Sequence, residues 1–247
     1  MKADPTAQLQ LLDLQTLDST LDRLAHQRAT LPEIAELATL AERRKALDDE
    51  TTLAETELTD LGRAQAKLEA DIEVVEQRQA RDQKRLDDGL ITNAKELEVL
   101  QHELESLARR KATLEDEELE LMQSAEDAQK RIDVAAAELA EIATKTENAQ
   151  WRLSETERGI DTEIASKRAH RAELAPSLPA DLVALYEKQR SVNGGVGAAA
   201  LLRRRCEGCH LELAGAELSD VRAAAPDEVL RCESCGRVLV RTAESGL

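Results

Sequence analysis

The chain has 247 residues, of which 34% are charged, whereas aromatic side chains make up only 1%. A globular domain of this length normally fills its core with large rings and β-branched side chains, so this composition excludes a large globular core. It favours long helices or coiled coils instead. The net charge of −17 resides almost entirely in residues 1–200, which carry −16, so this part should repel nucleic acids and anionic membranes.

Two features of the sequence, the length of its apolar runs and the composition of its N-terminal residues, indicate where the protein resides. The sequence has no run of about 18 apolar residues, and its first residues lack the apolar segment of a signal peptide. We therefore expect a cytoplasmic protein that does not enter a membrane. In a reducing compartment, the four cysteines favour a metal site over disulfides.

A regular alternation of three- and four-residue spacings runs from Leu97 to Ile160. Fifteen of the nineteen positions on this seam are Leu, Ile or Ala, which is the repeat of a coiled coil. A similar series runs from Leu40 to Leu86, and a run from Leu14 to Leu31 keeps the spacing in another phase. The sequence therefore predicts a mainly α fold built from long paired helices.

The repeat stops at residues 87–93, where Gly89 suits a helix C-cap and Asn93 a helix N-cap. Because the two arms around this turn match in length, we predict an antiparallel coiled-coil hairpin over residues 1–176. Such a hairpin can be a monomer, and a second copy could add to it as a weak homodimer.

A proline interrupts the first arm of the predicted hairpin. Pro32 predicts a break or kink there. Folding the arms back places Trp151, the single Trp, opposite this break, and we expect its ring to fill the space that the break opens. The alternative is a Trp that lies on the surface.

Two prolines end the hairpin, and residues 177–195 predict a short helix, at about 179–190, followed by a linker. The remaining residues, 196–247, form the third predicted domain. Its strands are expected at 198–205, 228–231 and 237–241, with a short helix at 215–224.

This last domain contains two Cys-x-x-Cys motifs separated by 22 residues. Each motif presents two thiolates, and two motifs complete a tetrahedral four-sulfur zinc site that leaves no open position for catalysis. One structural zinc ion is therefore predicted, with the ligands Cys206, Cys209, Cys232 and Cys235. A rubredoxin-like iron site and two redox-active dithiols are alternatives. His210 is interpreted as a neighbour of the site rather than a ligand.

These segments together resemble a known family of C4-type zinc-ribbon proteins with a long N-terminal coiled-coil hairpin, long catalogued as a domain of unknown function. The resemblance lies in residues 92–104, in residues 178–188 and in the two Cys-x-x-Cys motifs together with residues 235–240. Leu97 departs from the family, which often has an aromatic residue there. The resemblance implies a bacterial protein without an active site, whose relatives act on protein and RNA partners as adaptors in flagellar or type III secretion.

The favoured function is a non-enzymatic adaptor or scaffold that binds protein partners through the turn of the hairpin and the ribbon surface. We call the candidate turn residues the hairpin tip: Leu90, Ile91, Asn93, Lys95 and Glu96. The polar residues of the tip could instead serve only to cap the helix.

The alternative function is a regulator that binds RNA or DNA through arginines of the ribbon. The candidates are Arg203, Arg204, Arg205, Arg222, Arg231, Arg237 and Arg241. Against this, the ribbon has eight acidic residues and no aromatic side chain to stack on bases. The arginines could instead be solvated or neutralise the zinc site. No catalytic pattern appears, so an enzyme is not predicted.

Overall fold

The structure, a computed structural model, describes residues 1–89, 91 and 93–247. The chain is mainly helical, and its long helical hairpin confirms the predicted fold class. The elements in chain order are α1 (Pro5–Ala29), α2 (Pro32–Asp87), α3 (Ala94–Leu174), a 3-10 turn (Ala175–Ser177), α4 (Ala180–Val192), β1 (Ala198–Leu202), β2 (Arg205–Cys206), α5 (Gly215–Ala223), β3 (Leu230–Arg231) and β4 (Val238–Arg241). The chain divides into two compact units, one of residues 35–149 and one of residues 1–34 with 150–247.

In the unit of residues 35–149, α2 and α3 pack side by side along the predicted seam. Each seam position of α3 in this unit, from Leu100 onwards, is buried or half-buried, and so is each one of α2 except Arg44. Ion pairs across the two helices flank the seam, among them Arg43 with Glu138 at 2.8 Å. Flanking pairs of this kind influence which coiled-coil helices pair and in which orientation.

The turn of the hairpin lies where the repeat stops. α2 ends at Asp87 and α3 begins at Ala94, as the sequence predicts. Gly89 has φ +65°, in the left-handed region that glycine adopts without a steric penalty. The Asn93 Oδ1 atom accepts a hydrogen bond of 3.0 Å from the backbone N–H of Lys95, which is the predicted N-cap. Leu90 and Thr92 lie outside the described residues.

The predicted break in the first arm is present: α1 ends at Ala29 and α2 starts at Pro32. Leu31, beside the break, is buried with Leu24 and Ile160, and Leu153 packs against this cluster. Trp151 is 67% exposed, so the prediction that its ring fills the break is wrong. The aliphatic seam residues already occupy that space, and Trp151 lies off the seam, two residues before Leu153.

In the unit of residues 1–34 with 150–247, a small sheet packs against helices. Its strand order is β2-β1-β4-β3. β1 and β4 are parallel, whereas the two edge pairs are antiparallel. The core beneath the sheet consists mainly of Leu11, Leu14, Leu182, Tyr186, Val238 and Val240.

The strands and short helices of this unit lie close to their predicted positions. The predicted strand over 198–205 is instead divided, because Arg203 and Arg204 take positive φ values of 47° and 66° and turn the chain from β1 into β2. The N-terminal residues extend the edge near β3, where Ala3 N–H donates to the Asp227 carbonyl at 2.8 Å. Among the described residues, no helix is both long and apolar enough to cross a membrane.

Candidate metal centre

The two Cys-x-x-Cys motifs converge on one point. All four Sγ atoms lie within 4.8 Å of one another. The Sγ atoms of Cys209 and Cys232 are 3.8 Å apart. A tetrahedron with Zn–S bonds of about 2.3 Å requires sulfur–sulfur distances of about 3.8 Å, so the site has the dimensions that a zinc ion needs.

The first motif begins at Cys206, the last residue of β2, and continues into the turn that follows. Cys206 is fully buried, and its carbonyl accepts a hydrogen bond of 2.7 Å from the His210 N–H. Gly208 must lack a side chain, because a Cβ there would lie 2.6 Å from the Arg237 Cδ and 3.0 Å from the Ala199 Cβ. His210 is exposed and is not a member of the cysteine cluster.

The second motif forms a similar tight turn between β3 and β4. Gly236 N–H donates to the Cys232 carbonyl at 2.8 Å, and Cys232 N–H donates to the Arg237 carbonyl at 3.0 Å. Gly236 has φ +75°, a conformation that glycine adopts readily. These bonds fold the backbone tightly around the two sulfurs.

The thiols of the site have different affinities for protons. Burial raises the pKa of Cys206 to about 12 and also raises that of Cys232. Burial acts in the same direction on Cys235, but hydrogen bonds from the Arg237 backbone and side chain outweigh it and lower its pKa to about 7. Zinc binds thiolates and releases their protons, so the bound ion would supply the charge that keeps the buried sulfurs deprotonated.

Two further groups support the second motif. The Arg237 guanidinium donates to the carbonyls of Val196 and Asn193, each at 3.0 Å, and so joins the motif to the segment after α4. The buried Glu217 carboxylate of α5 accepts the Glu233 N–H at 3.0 Å. Sequence reasoning missed Glu217, which resembles the many other acidic residues of the chain.

Three of the candidate arginines donate to backbone carbonyls of the ribbon or of the segment just before it. Arg231 donates to the Gly236 carbonyl at 3.0 Å, and Arg237 makes the two bonds just described. Arg241 donates to four carbonyls, those of residues 224, 225, 226 and 228. These side chains therefore hold backbone segments together.

The other four candidate arginines are exposed, as is Arg231. Arg205 forms an ion pair of 3.1 Å with Glu207, and Arg204 Nε donates to the Gly246 carbonyl at 3.2 Å. Arg203 and Arg222 present exposed guanidinium groups. Arg204 and Arg231 are both exposed and bonded to a backbone carbonyl, so exposure alone does not separate the structural arginines from the outward-facing ones.

The described residues of the hairpin tip line an open groove of about 440 Å³. Ile91 is half-buried, whereas Asn93, Lys95 and Glu96 are exposed. Asn93 is the N-cap of α3, and Leu90 lies outside the described residues.

A buried polar cluster that the sequence did not reveal ties α1 to α3 and α4. The Asp18 carboxylate is 1% exposed. It accepts hydrogen bonds from Arg171 Nε at 2.6 Å and from the Tyr186 hydroxyl at 2.7 Å. Arg190 lies 3.7 Å from the same carboxylate and pairs with Asp22 at 3.0 Å. The sequence did contain a signal that Asp18 is buried, because Asp18 follows Leu11 and Leu14 at helical spacing and so lies on the same face of α1.

Neighbouring Gln15 attaches the start of β1 to α1. Its Oε1 accepts the backbone N–H groups of Gly197 at 2.6 Å and Ala198 at 3.2 Å, and its amide nitrogen donates to the Gly195 carbonyl at 3.0 Å. The hydrogen bonds of Gln15, Asp18 and Arg237 therefore connect α1, α4 and the second cysteine motif within one compact unit.

The fold and the site define a coiled-coil hairpin protein that carries a four-cysteine zinc ribbon with one structural zinc ion. Residues 14–194 match the family described as the CT398-like coiled coil hairpin domain, and residues 205–239 match the C4-type zinc ribbon domain. The chain belongs to this family of CT398-like hairpin proteins with a C4-type zinc ribbon.

Relatives match this chain over nearly its whole length. An uncharacterized protein of Mycobacterium tuberculosis is 36% identical over 98% of both chains. A solved structure from Mycobacterium smegmatis is 35% identical, with a TM-score of 0.83 over 98% of this chain and 100% of that one. CT398 from Chlamydia trachomatis has the same fold at 20% identity, with a TM-score of 0.74 over 96% of this chain and 98% of the other.

Proposed function

We propose that the protein is a non-enzymatic adaptor or scaffold that binds protein partners through the hairpin tip and the surface of the zinc ribbon. The observation that carries this proposal is the closed metal site. Four protein thiolates fill the coordination sphere of zinc, so the ion stabilises the ribbon and has no position for a substrate. Long hairpins of this kind present extended surfaces for protein contacts.

The groove at the hairpin tip supports the choice of the first surface. It combines the apolar side chains of Ile91, Val99 and Leu100 with the charged groups of Lys95 and Glu96. An apolar floor with a polar rim is the usual anatomy of a protein-binding surface.

The test is cross-linking of the full-length protein in cells, followed by identification of the bound proteins and RNA. We expect the double variant Ile91→Ser with Lys95→Glu to lose partner proteins that the wild type recovers. Lys67→Glu, an exposed change elsewhere on α2, is the matched control and should lose none. Recovery of the same proteins by all three chains would reject the tip as a binding surface.

A second candidate function, RNA or DNA binding by the ribbon, is favoured by one observation. Arg203 and Arg204 lie in an exposed left-handed turn, a conformation that costs non-glycine residues roughly 1–2 kcal/mol each. The turn joins β1 to β2 and leaves both side chains exposed, so that their guanidinium groups are accessible to phosphates. Binding at low salt that is lost in the triple Arg→Glu variant of residues 203–205 would support this function. An absence of binding at low salt would reject it, because phosphate contacts strengthen as salt falls.

A further inference from the structure

A groove of about 480 Å³ lies between α2 and α3 within residues 35–149. Leu47 and Ala135, both buried, form its floor. Leu53 and Val134 also line the groove, yet these side chains are 70% and 67% exposed. Exposed apolar side chains that surround a groove mark an interaction site.

The seam beside the groove is built from small side chains. The seam positions around it include Ala54, Ala128 and Ala135, each at most 4% exposed. Alanine fills less of the space between two helices than the Leu residues found elsewhere on the seam. The groove itself, at about 480 Å³, has room for a large apolar side chain from outside.

The positive charges beside the groove already have partners. Arg43 pairs with Glu138 at 2.8 Å, Lys130 with Asp127 at 3.0 Å and Arg131 with Glu57. Glu50, which also lines the groove, makes no direct ion pair among the residues that the structure describes, although its charge contributes to raising the pKa of Arg43. The unpaired charge at the rim is therefore negative.

The wider surroundings of the groove carry the same sign. Residues 42–60 contain seven acidic and three basic side chains, and residues 126–141 contain five acidic and two basic ones. A second copy of the chain would bring the same excess of negative charge and would be repelled. A cationic partner is attracted.

We propose that this groove docks a basic amphipathic helix of a partner protein. An apolar side chain of that helix inserts between Leu53 and Val134, and a Lys or Arg on its flank pairs with Glu50. This is the helix-in-groove mode of recognition. The proposal goes beyond the adaptor function above, because it uses neither the hairpin tip nor the ribbon.

The test uses a fluorescent helical peptide with a leucine face and lysine flanks, titrated with the full-length protein and followed by anisotropy. Leu53→Glu and Val134→Glu should each weaken binding at least tenfold, which corresponds to about 1.4 kcal/mol. Leu119→Glu is the matched control, because Leu119 is 63% exposed on α3 and does not line the groove. All three variants add a negative charge, so general attraction of the cationic peptide would rise in each.

Three results would overturn the proposal. The first is equal binding of the peptide by Leu53→Glu and Leu119→Glu. The second is that the wild type binds a peptide with glutamate flanks as tightly as the peptide with lysine flanks. We expect the wild type to prefer the lysine peptide and Glu50→Lys to prefer the glutamate peptide. The third is a wild-type dimer in sedimentation equilibrium that Leu53→Glu dissociates, because the occupant would then be a second copy.

Discussion

The hydroxyl of Tyr186 donates a hydrogen bond of 2.7 Å to the Asp18 carboxylate, although 168 residues separate the two along the chain. Arg171, from a third helix, binds the same carboxylate at 2.6 Å. A buried carboxylate is stable only when its partners compensate for lost hydration. These bonds therefore hold α1, α3 and α4 in one arrangement beneath the sheet.

Removal of this carboxylate should destabilise the protein strongly. Asp18→Ala leaves two arginines without their buried partner, which we expect to cost about 3–5 kcal/mol of unfolding free energy. Tyr186→Phe removes one hydrogen bond to a charged group and should cost about 1.5–3 kcal/mol. Urea unfolding followed by circular dichroism measures both. Asp13→Ala, an exposed change on α1, is the control, and equal losses in all three variants would contradict the assignment.

The single tyrosine offers a pH test of the same contact. The pKa of Tyr186 lies well above the ordinary value of about 10. Burial of the hydroxyl is the main cause, and the hydrogen bond to Asp18 and the negative charge of Asp18 add to it. Because the folded state holds this proton more tightly, the stabilisation is complete below about pH 10 and is lost as the pH rises towards the folded-state pKa. The ultraviolet absorbance of phenolate should therefore appear together with unfolding. Ionisation near pH 10 in a folded chain would contradict this prediction.

Arg237 should strengthen zinc binding without contacting the ion. Its guanidinium joins the second cysteine motif to the carbonyls of Asn193 and Val196. Outer-shell groups of this kind typically change metal affinity about 10- to 100-fold. We expect Arg237→Ala to weaken zinc affinity by such a factor in competition with a chromophoric chelator. Arg222→Ala, an exposed change in the same domain, should leave the affinity unaltered, and an equal effect of both would refute the role.

The seam close to the turn should be the weakest part of the hairpin. Asp82 occupies a buried seam position, with Arg78 and Arg85 at 3.9 and 3.8 Å. Asp82→Leu replaces a desolvated charge with an apolar side chain and should add about 1–2 kcal/mol of stability. Hydrogen exchange of amides in this part of α2 should slow accordingly. Asp71→Leu, at an exposed position, should change stability by less than about 0.5 kcal/mol, and a loss of stability in Asp82→Leu would contradict the argument.

Repeats and short motifs in the sequence were sufficient to predict the helices, the turn and the cysteine cluster. The seam from Leu100 to Ile160 can be recognised from local sequence, because each of its positions follows the previous one by three or four residues. The cysteine motifs are likewise recognisable from their spacing alone.

Contacts between distant polar residues could not be predicted in this way. Asp18 and Glu217 each belong to a chain with 50 acidic residues, and only the tertiary fold distinguishes a buried acid from a solvated one. Trp151 was mispredicted because a large ring was assumed to fill the helix break, whereas Leu31 and Leu153 lie on the buried seam there. The division of the strand at Arg203 also depends on tertiary contacts, since its N–H donates to the Glu244 carbonyl.

The attachment of α1 to later parts of the chain has a consequence for biosynthesis. Gln15 and Asp18 leave the ribosome early, but their partners at positions 171, 186, 197 and 198 are translated much later. Until then, the apolar face of the nascent first helix remains uncovered. A polypeptide that ends before position 171 would therefore leave Leu11 and Leu14 exposed to solvent, because the residues that cover them lie further along the chain.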